Sequence, residues 1–169
     1  MYVRILNLKV KRAMKKDEEI IDKLVRMTYK AESLFKITKY LTTLKRAYTN
    51  FMDSISNDEW LTCDEKRDIK SWVYVSDVYD TCLDNAISTT FKNVVAQKNL
   101  MDKLYEDTEK CVKDMSEGKS WGELWSYNEE LAQKTMSVDA TLRNIKFGQD
   151  RLNEMVNELS NTINDNNNG

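Results

Sequence analysis

Three cysteines, one Gly-Lys-Ser tripeptide and a short ladder of aspartates are the side chains of this 169-residue sequence best suited to chemistry. Cys63, Cys82 and Cys111 are odd in number, far apart and in no metal or redox spacing, which reads as reduced, buried or half-buried thiols of an intracellular protein. Gly118, Lys119 and Ser120 end like a phosphate-binding loop. Position 113 is lysine where that motif needs its first glycine, and no strand pattern precedes it. Asp77, Asp80 and Asp84 share a helix face that can collect a cation, but an even ladder of this kind is more simply a solvated acidic stripe. The sequence has no histidine, so the commonest general base and metal ligand is missing. No catalytic residue, cofactor or metal is therefore assigned, and the expectation is a protein that is not an enzyme.

What the sequence specifies is helices. It contains no proline and only 4 glycines, so long helices can run without interruption. At steps of four and three, the stretch Leu124, Asn128, Leu131, Thr135, Val138, Leu142, Ile145, Gln149, Leu152, Val156, Leu159, Ile163 holds phase without a miss. Such a repeat places one narrow seam along a helix, which is stable only against partner helices. The polar members Asn128, Thr135 and Gln149 weaken the seam and favour one register. Leu124, Leu131, Val138, Leu142, Ile145, Gln149, Leu152, Val156 and Leu159 are the expected helix-seam interface.

Two further helices precede it. The first spans about 14–55, with a seam of Ile20, Leu24, Met27, Ala31, Leu34, Ile37, Leu41, Leu44, Tyr48, Phe51 and Ile55. Two steps of three in succession, at Ala31, Leu34 and Ile37, make a stammer that tightens the supercoil or marks a bend. A turn follows Ser54, and Thr62 with Glu65 has the spacing of a capping box. The second helix then runs over about 63–117, with a bend expected between Asn85 and Thr90, and ends at Gly118 in a left-handed position. Ser120 and Glu123 form a second capping box that opens a third helix over about 121–163. Trp121 and Trp125 should plug the end of this hairpin, and residues 164–169 should be disordered. The fold class is all-α: three long helices in an elongated antiparallel coiled-coil bundle.

The net charge of -2 hides an uneven distribution. Through Arg46 the sequence carries 13 Lys and Arg against 5 acidic residues, and the remainder is acidic. Residues 1–13 form a basic amphipathic segment, read as helical, which either extends the first helix onto its own protein or meets an acidic partner or membrane interface. Arg4, Lys9, Lys11, Arg12, Lys15, Lys16, Lys23, Arg26 and Lys30 are the candidate residues for an anionic membrane or acidic partner. No run reaches the length of a membrane span, and the N-terminus lacks the order of a secretory signal. The expected location is intracellular and cytoplasmic, including the periphery of membranes.

The lysine-rich first helix with Leu41, Leu44, Tyr48 and Phe51 resembles that of the BAR domains of sorting nexins and their relatives. So does the second helix, in which Ser-Asp-Val-Tyr-Asp-Thr-Cys-Leu-Asp (76–84) leads into Phe-Lys-Asn-Val-Val-Ala-Gln-Lys-Asn-Leu-Met (91–101). The resemblance implies a dimer paired through apolar seams, with a basic face against anionic lipid and a role in membrane trafficking. The residues themselves point to a non-enzymatic helical scaffold. It would oligomerise through its heptad seams, with itself or with other coiled-coil subunits, as an assembly subunit of a larger complex. The remaining alternative is a nucleic-acid-associated coiled coil or a viral structural protein.

Overall fold

The computed structural model describes residues 2–72 and 77–168, with side chains described for 15–71 and 78–168. Within these the chain is all-helical, and three long helices pack against each other. They are α1 (Tyr2–Ser56), α3 (Asp77–Ser116) and α5 (Glu129–Asn168), with two short helices, α2 (Cys63–Trp72) and α4 (Trp121–Tyr127), in the connections.

Local chemistry sets the helix ends. Thr62 Oγ1 accepts from Glu65 N at 3.2 Å while Glu65 Oε2 accepts from Thr62 N at 2.8 Å, so the capping box opens α2. Ser120 and Glu123 do the same for α4, at 3.3 and 3.1 Å. After α3 both Glu117 (φ 51°) and Gly118 (φ 74°) are left-handed. Only the second has the residue type that adopts this conformation freely.

Several expected boundaries are corrected. α1 begins at Tyr2, so residues 2–13 and the helix expected from 14 are one element. The second expected helix appears as α2 and α3, with residues 73–76 outside the described ones, and α3 runs through Asn85 to Thr90 as one helix. The third is divided at Asn128, whose extended backbone (φ -159°, ψ 106°) closes α4. Its side-chain Oδ1 accepts from Leu131 N at 3.0 Å and caps α5. An asparagine read as a polar seam position is thus a helix stop and start. α5 then continues to Asn168, so residues 164–168, expected to be disordered, are helical.

The chain forms two compact units, residues 1–31 with 96–154, and residues 32–95 with 155–169. In the first, Ile20, Met27, Met101, Leu131, Val138, Ile145 and Leu152 make the core. Asp17 accepts from Thr141 Oγ1 at 2.9 Å and from Ser137 at 3.3 Å, tying α1 to α5. A Cβ on Gly148 would lie 3.1 Å from Met101 Cε and 3.3 Å from Leu24 Cδ1, so α5 carries glycine where these two side chains press on it. In the second unit the core is Phe35, Ile55, Leu83, Ile87, Val94, Met155 and Leu159. There Lys39 pairs with Glu158 at 2.8 Å and Lys45 pairs with Asp84. Asn166 donates to Thr42 O at 2.9 Å and accepts from Arg46 at 2.9 and 3.0 Å.

The core edge of α1 is Ile20, Leu24, Met27, Ala31, Leu34, Thr38, Leu41, Lys45, Tyr48, Met52 and Ile55, each buried or half-buried. Its steps alternate four and three throughout, so the stammer after Ala31 does not exist. Thr38 is fully buried, and its Oγ1 donates to Leu34 O at 2.7 Å, so its hydroxyl needs no partner from another helix. Lys45 runs its stem along the core and carries its ammonium to Asp84. The cost of keeping phase is that Ile37, Leu44 and Phe51, all expected in the seam, are exposed at 48%, 46% and 38%.

Candidate interaction surface

The seam residues of the last helix are placed by α4 and α5. Leu124, Leu131, Val138, Ile145, Leu152 and Leu159 are 0–2% exposed, and Leu142, Gln149 and Val156 are half-buried. They are covered within this one chain, so the side chains expected to pair with another subunit are already used. Gln149 has a partner: its Nε2 donates to Asp102 Oδ1 at 3.0 Å, and Asp102 also holds Lys98 at 3.1 Å. Thr135 is fully buried and donates to Leu131 O at 2.8 Å. Neither polar residue faces an unpaired seam.

The outward face of α1 shows the opposite pattern. Ile37, Tyr40, Leu44, Ala47 and Phe51 are all exposed, Tyr40 at 75%, and they follow steps of three and four. This is a second seam, about 100° around the helix from the buried edge. The positions beside it are Lys36, Thr43 and Asn50, of which only Lys36 is charged. Sequence reasoning missed this face because it assigned three of its members to the core. The signal that would have found it is the uninterrupted repeat through Thr38, Lys45 and Met52, which polar residues conceal.

At the end of α1 the chain presents Trp60, 93% exposed. The turn beneath it is built by Asp58, whose Oδ1 accepts from Leu61 N and Trp60 N, both at 2.8 Å. These backbone bonds, Leu61 first and Trp60 second, hold the Asp58 carboxyl below its usual range. Lys66 adds a bond to Ser56 O at 3.1 Å. A large apolar ring thus stands on a well-bonded support. Trp121 and Trp125, expected to plug the other turn, are 41% and 38% exposed; Leu124 between them is the residue that is buried.

The basic candidates do not form a uniform face. The side chains of Arg4, Lys9, Lys11 and Arg12 lie outside the described residues. Lys15, Lys16, Lys23, Arg26 and Lys30 are exposed. Lys16 and Lys23 line a groove of about 390 Å³ together with Glu19, Asp107 and Asp114. Arg26 pairs with Asp22 at 3.1 Å. Lys16, Lys23 and Arg26 therefore have carboxylates nearby.

The thiols also differ from expectation. Cys63 and Cys82 are exposed, and only Cys111 is buried, where loss of water pushes its thiol pKa up. Asp84 of the aspartate ladder is engaged by Lys45, and the side chain of Asp77 is outside the described residues. Among the described residues no group of three potential ligands is placed to hold a metal ion, and no helix is long and apolar enough to cross a membrane.

Comparison with known proteins finds no matching family model, no matching curated protein and no matching solved structure.

Proposed function

We propose that this chain is a non-enzymatic helical interaction protein, an assembly subunit whose docking surface is the outward face of α1. The observation that carries this reading is the heptad-spaced row Ile37, Tyr40, Leu44, Ala47 and Phe51, left in solvent by a helix whose other edge fills the core. A helix with two apolar seams side by side is suited to pack against two sets of neighbours. The reading treats the three long helices as an antiparallel coiled-coil bundle, with α3 and α5 reversed at residues 117–120. In that bundle the row on α1 is a ready face for one more helix.

The test uses tagged chain in an extract of the cells that make it. Wild type should migrate in a complex larger than the chain, and Tyr40→Glu with Leu44→Glu should migrate as free chain with an unchanged circular dichroism spectrum. Wild type that runs free in the extract and alone in solution would sink the reading.

A BAR-like membrane-binding dimer is the second reading, favoured by the basic excess of the sequence through Arg46. Against it stand Asp22, Glu19, Asp107 and Asp114, set among the lysines and arginine that would face lipid. A basic residue contributes about 1 kcal/mol at an anionic surface only where carboxylates do not offset it.

A further inference from the structure

We propose that the outward face of α1 is where two copies of this chain pair, antiparallel, about a twofold axis passing close to Leu44. The proposal rests on the interaction reading above and commits it to one occupant. A closed pair of this kind uses the same patch on both copies, so the patch must be complementary to itself. Ile37 stands seven residues before Leu44 and Phe51 seven after, so each Ile37 meets the Phe51 of the other copy, and Tyr40, four before, comes within one residue of level with Ala47, three after. Of the positions beside the row, Thr43 and Asn50 carry no charge and Lys36 falls level with Met52 of the other copy, so no like charges are forced together there. A partner helix of strong charge would find only Lys36 to pair with along this row. A copy of the same face needs nothing.

Charge along the helix then selects the antiparallel sense. With the axis at Leu44, residues 53–68 of one copy, 6 acidic against 2 basic, lie level with residues 20–35 of the other, 3 basic against 2 acidic. Laid antiparallel, the acidic end of each copy meets a stretch of slight basic excess; laid parallel, it meets the acidic end of the other. The end of α1 at Ser56 lies roughly 18 Å beyond Leu44 by helical rise, level with position 32 of the other copy. The turn that follows brings Trp60 and Glu59 to the neighbourhood of Lys30. Trp60 is 93% exposed and Tyr40 75%, and aromatic side chains bury about 150–250 Å² each. With the rest of the row each copy offers on the order of 600 Å², or about 1,200 Å² for the pair, the lower end of specific interfaces.

The experiment uses the full chain with Cys63→Ser and Cys82→Ser, which removes the two exposed thiols. Sedimentation velocity over a concentration series should show a reversible dimer. Leu44→Glu should weaken it by about two orders of magnitude, because a carboxylate would be buried at the axis, and should leave the circular dichroism spectrum of the folded chain unchanged. Tyr40→Arg, at a more exposed position, is the control should Leu44→Glu disturb folding. For orientation, Leu44→Cys should cross-link to itself on oxidation. Lys30→Cys mixed with Glu59→Cys should give a mixed disulfide that neither gives alone. A wild type that stays monomeric at every concentration overturns the proposal, as does Lys30→Cys cross-linking to itself or a dimer indifferent to both substitutions in the row. Monomer in pure solution with a row-dependent complex in extract would leave the interaction reading standing without self-pairing; free chain in both would end both.

Discussion

Thr38 and Thr42 are buried on α1 while Ile37 and Leu44 next to the same turns are exposed, an inversion of what hydrophobicity alone would select. The hydroxyls remove the objection to burial. Thr38 donates to Leu34 O at 2.7 Å and Thr42 to Lys39 O at 2.8 Å, so each threonine presents its methyl to the core and hides its polar atom against its own helix. The same device operates in the seam at Thr108 and Thr135. Because the hydroxyl of Thr135 serves only its own helix, Thr135→Val should stabilise the protein. A methyl in place of a buried hydroxyl contributes about 1 kcal/mol, which raises Tm by about 2–4 °C in a chain of this size. Thermal unfolding followed by circular dichroism measures it. A fall in Tm would mean that the hydroxyl serves a neighbouring helix as well. Gln149 differs, because its amide reaches Asp102 on α3, and this bond was invisible in a seam pattern.

At the scale of elements, the division of the third helix at Asn128 shows how one side chain sets a boundary. The heptad repeat passes through this position undisturbed, yet Asn128 caps α5 and its N–H bonds Leu124 O at 2.8 Å. Asn128→Ala keeps the repeat and removes the cap, so it should cost about 1 kcal/mol. A chemical denaturation midpoint lowered at unchanged slope would show this, and an unchanged midpoint would mean that packing of Leu124 and Leu131 alone sets the boundary. Gly148 makes the complementary point. Alanine within a helix is favoured over glycine by about 1 kcal/mol. At Gly148, however, the new methyl would meet Met101, which is 0% exposed and has no room to withdraw. Overpacking of this kind costs about 1–3 kcal/mol, so Gly148→Ala should destabilise by about 1 kcal/mol net. If the same denaturation measurement found Gly148→Ala stabilising, the contact between α5 and Met101 would be looser than described.

At the scale of the whole molecule, the question is what the uneven charge meets. With a net charge of -2 there is no long-range attraction to a polyanion, and the described cations Lys16, Lys23 and Arg26 have acidic neighbours. The expectation is that anionic vesicles and a nonspecific duplex both fail to retain the protein at physiological salt. Co-sedimentation with vesicles of about one-third anionic lipid, beside neutral ones, checks the first and a gel-shift titration the second. Salt-sensitive retention on anionic vesicles, lost when Lys15 and Lys16 are changed to Glu, would restore the membrane reading. Steep salt dependence on the duplex would restore the nucleic-acid one.

The sequence by itself determined that the chain is helical. The absence of proline, the two capping boxes and the repeat through Leu124–Ile163 state it locally, since spacing along one helix needs no knowledge of any other. It also determined that this seam is buried, because a repeat unbroken over so many turns admits one register. Only the tertiary structure decided which side of α1 is inside. Two apolar rows run along that helix, Leu34–Leu41–Tyr48–Ile55 completed by Thr38, Lys45 and Met52, and Ile37–Leu44–Phe51 completed by Tyr40 and Ala47. Hydrophobicity does not separate them. The choice is made by keeping phase with Ile20 to Ala31 on the same helix and by what packs opposite: Asp84 waiting for Lys45 and Asn166 for Thr42. The exposed row, and with it the candidate docking surface, is what that choice leaves over.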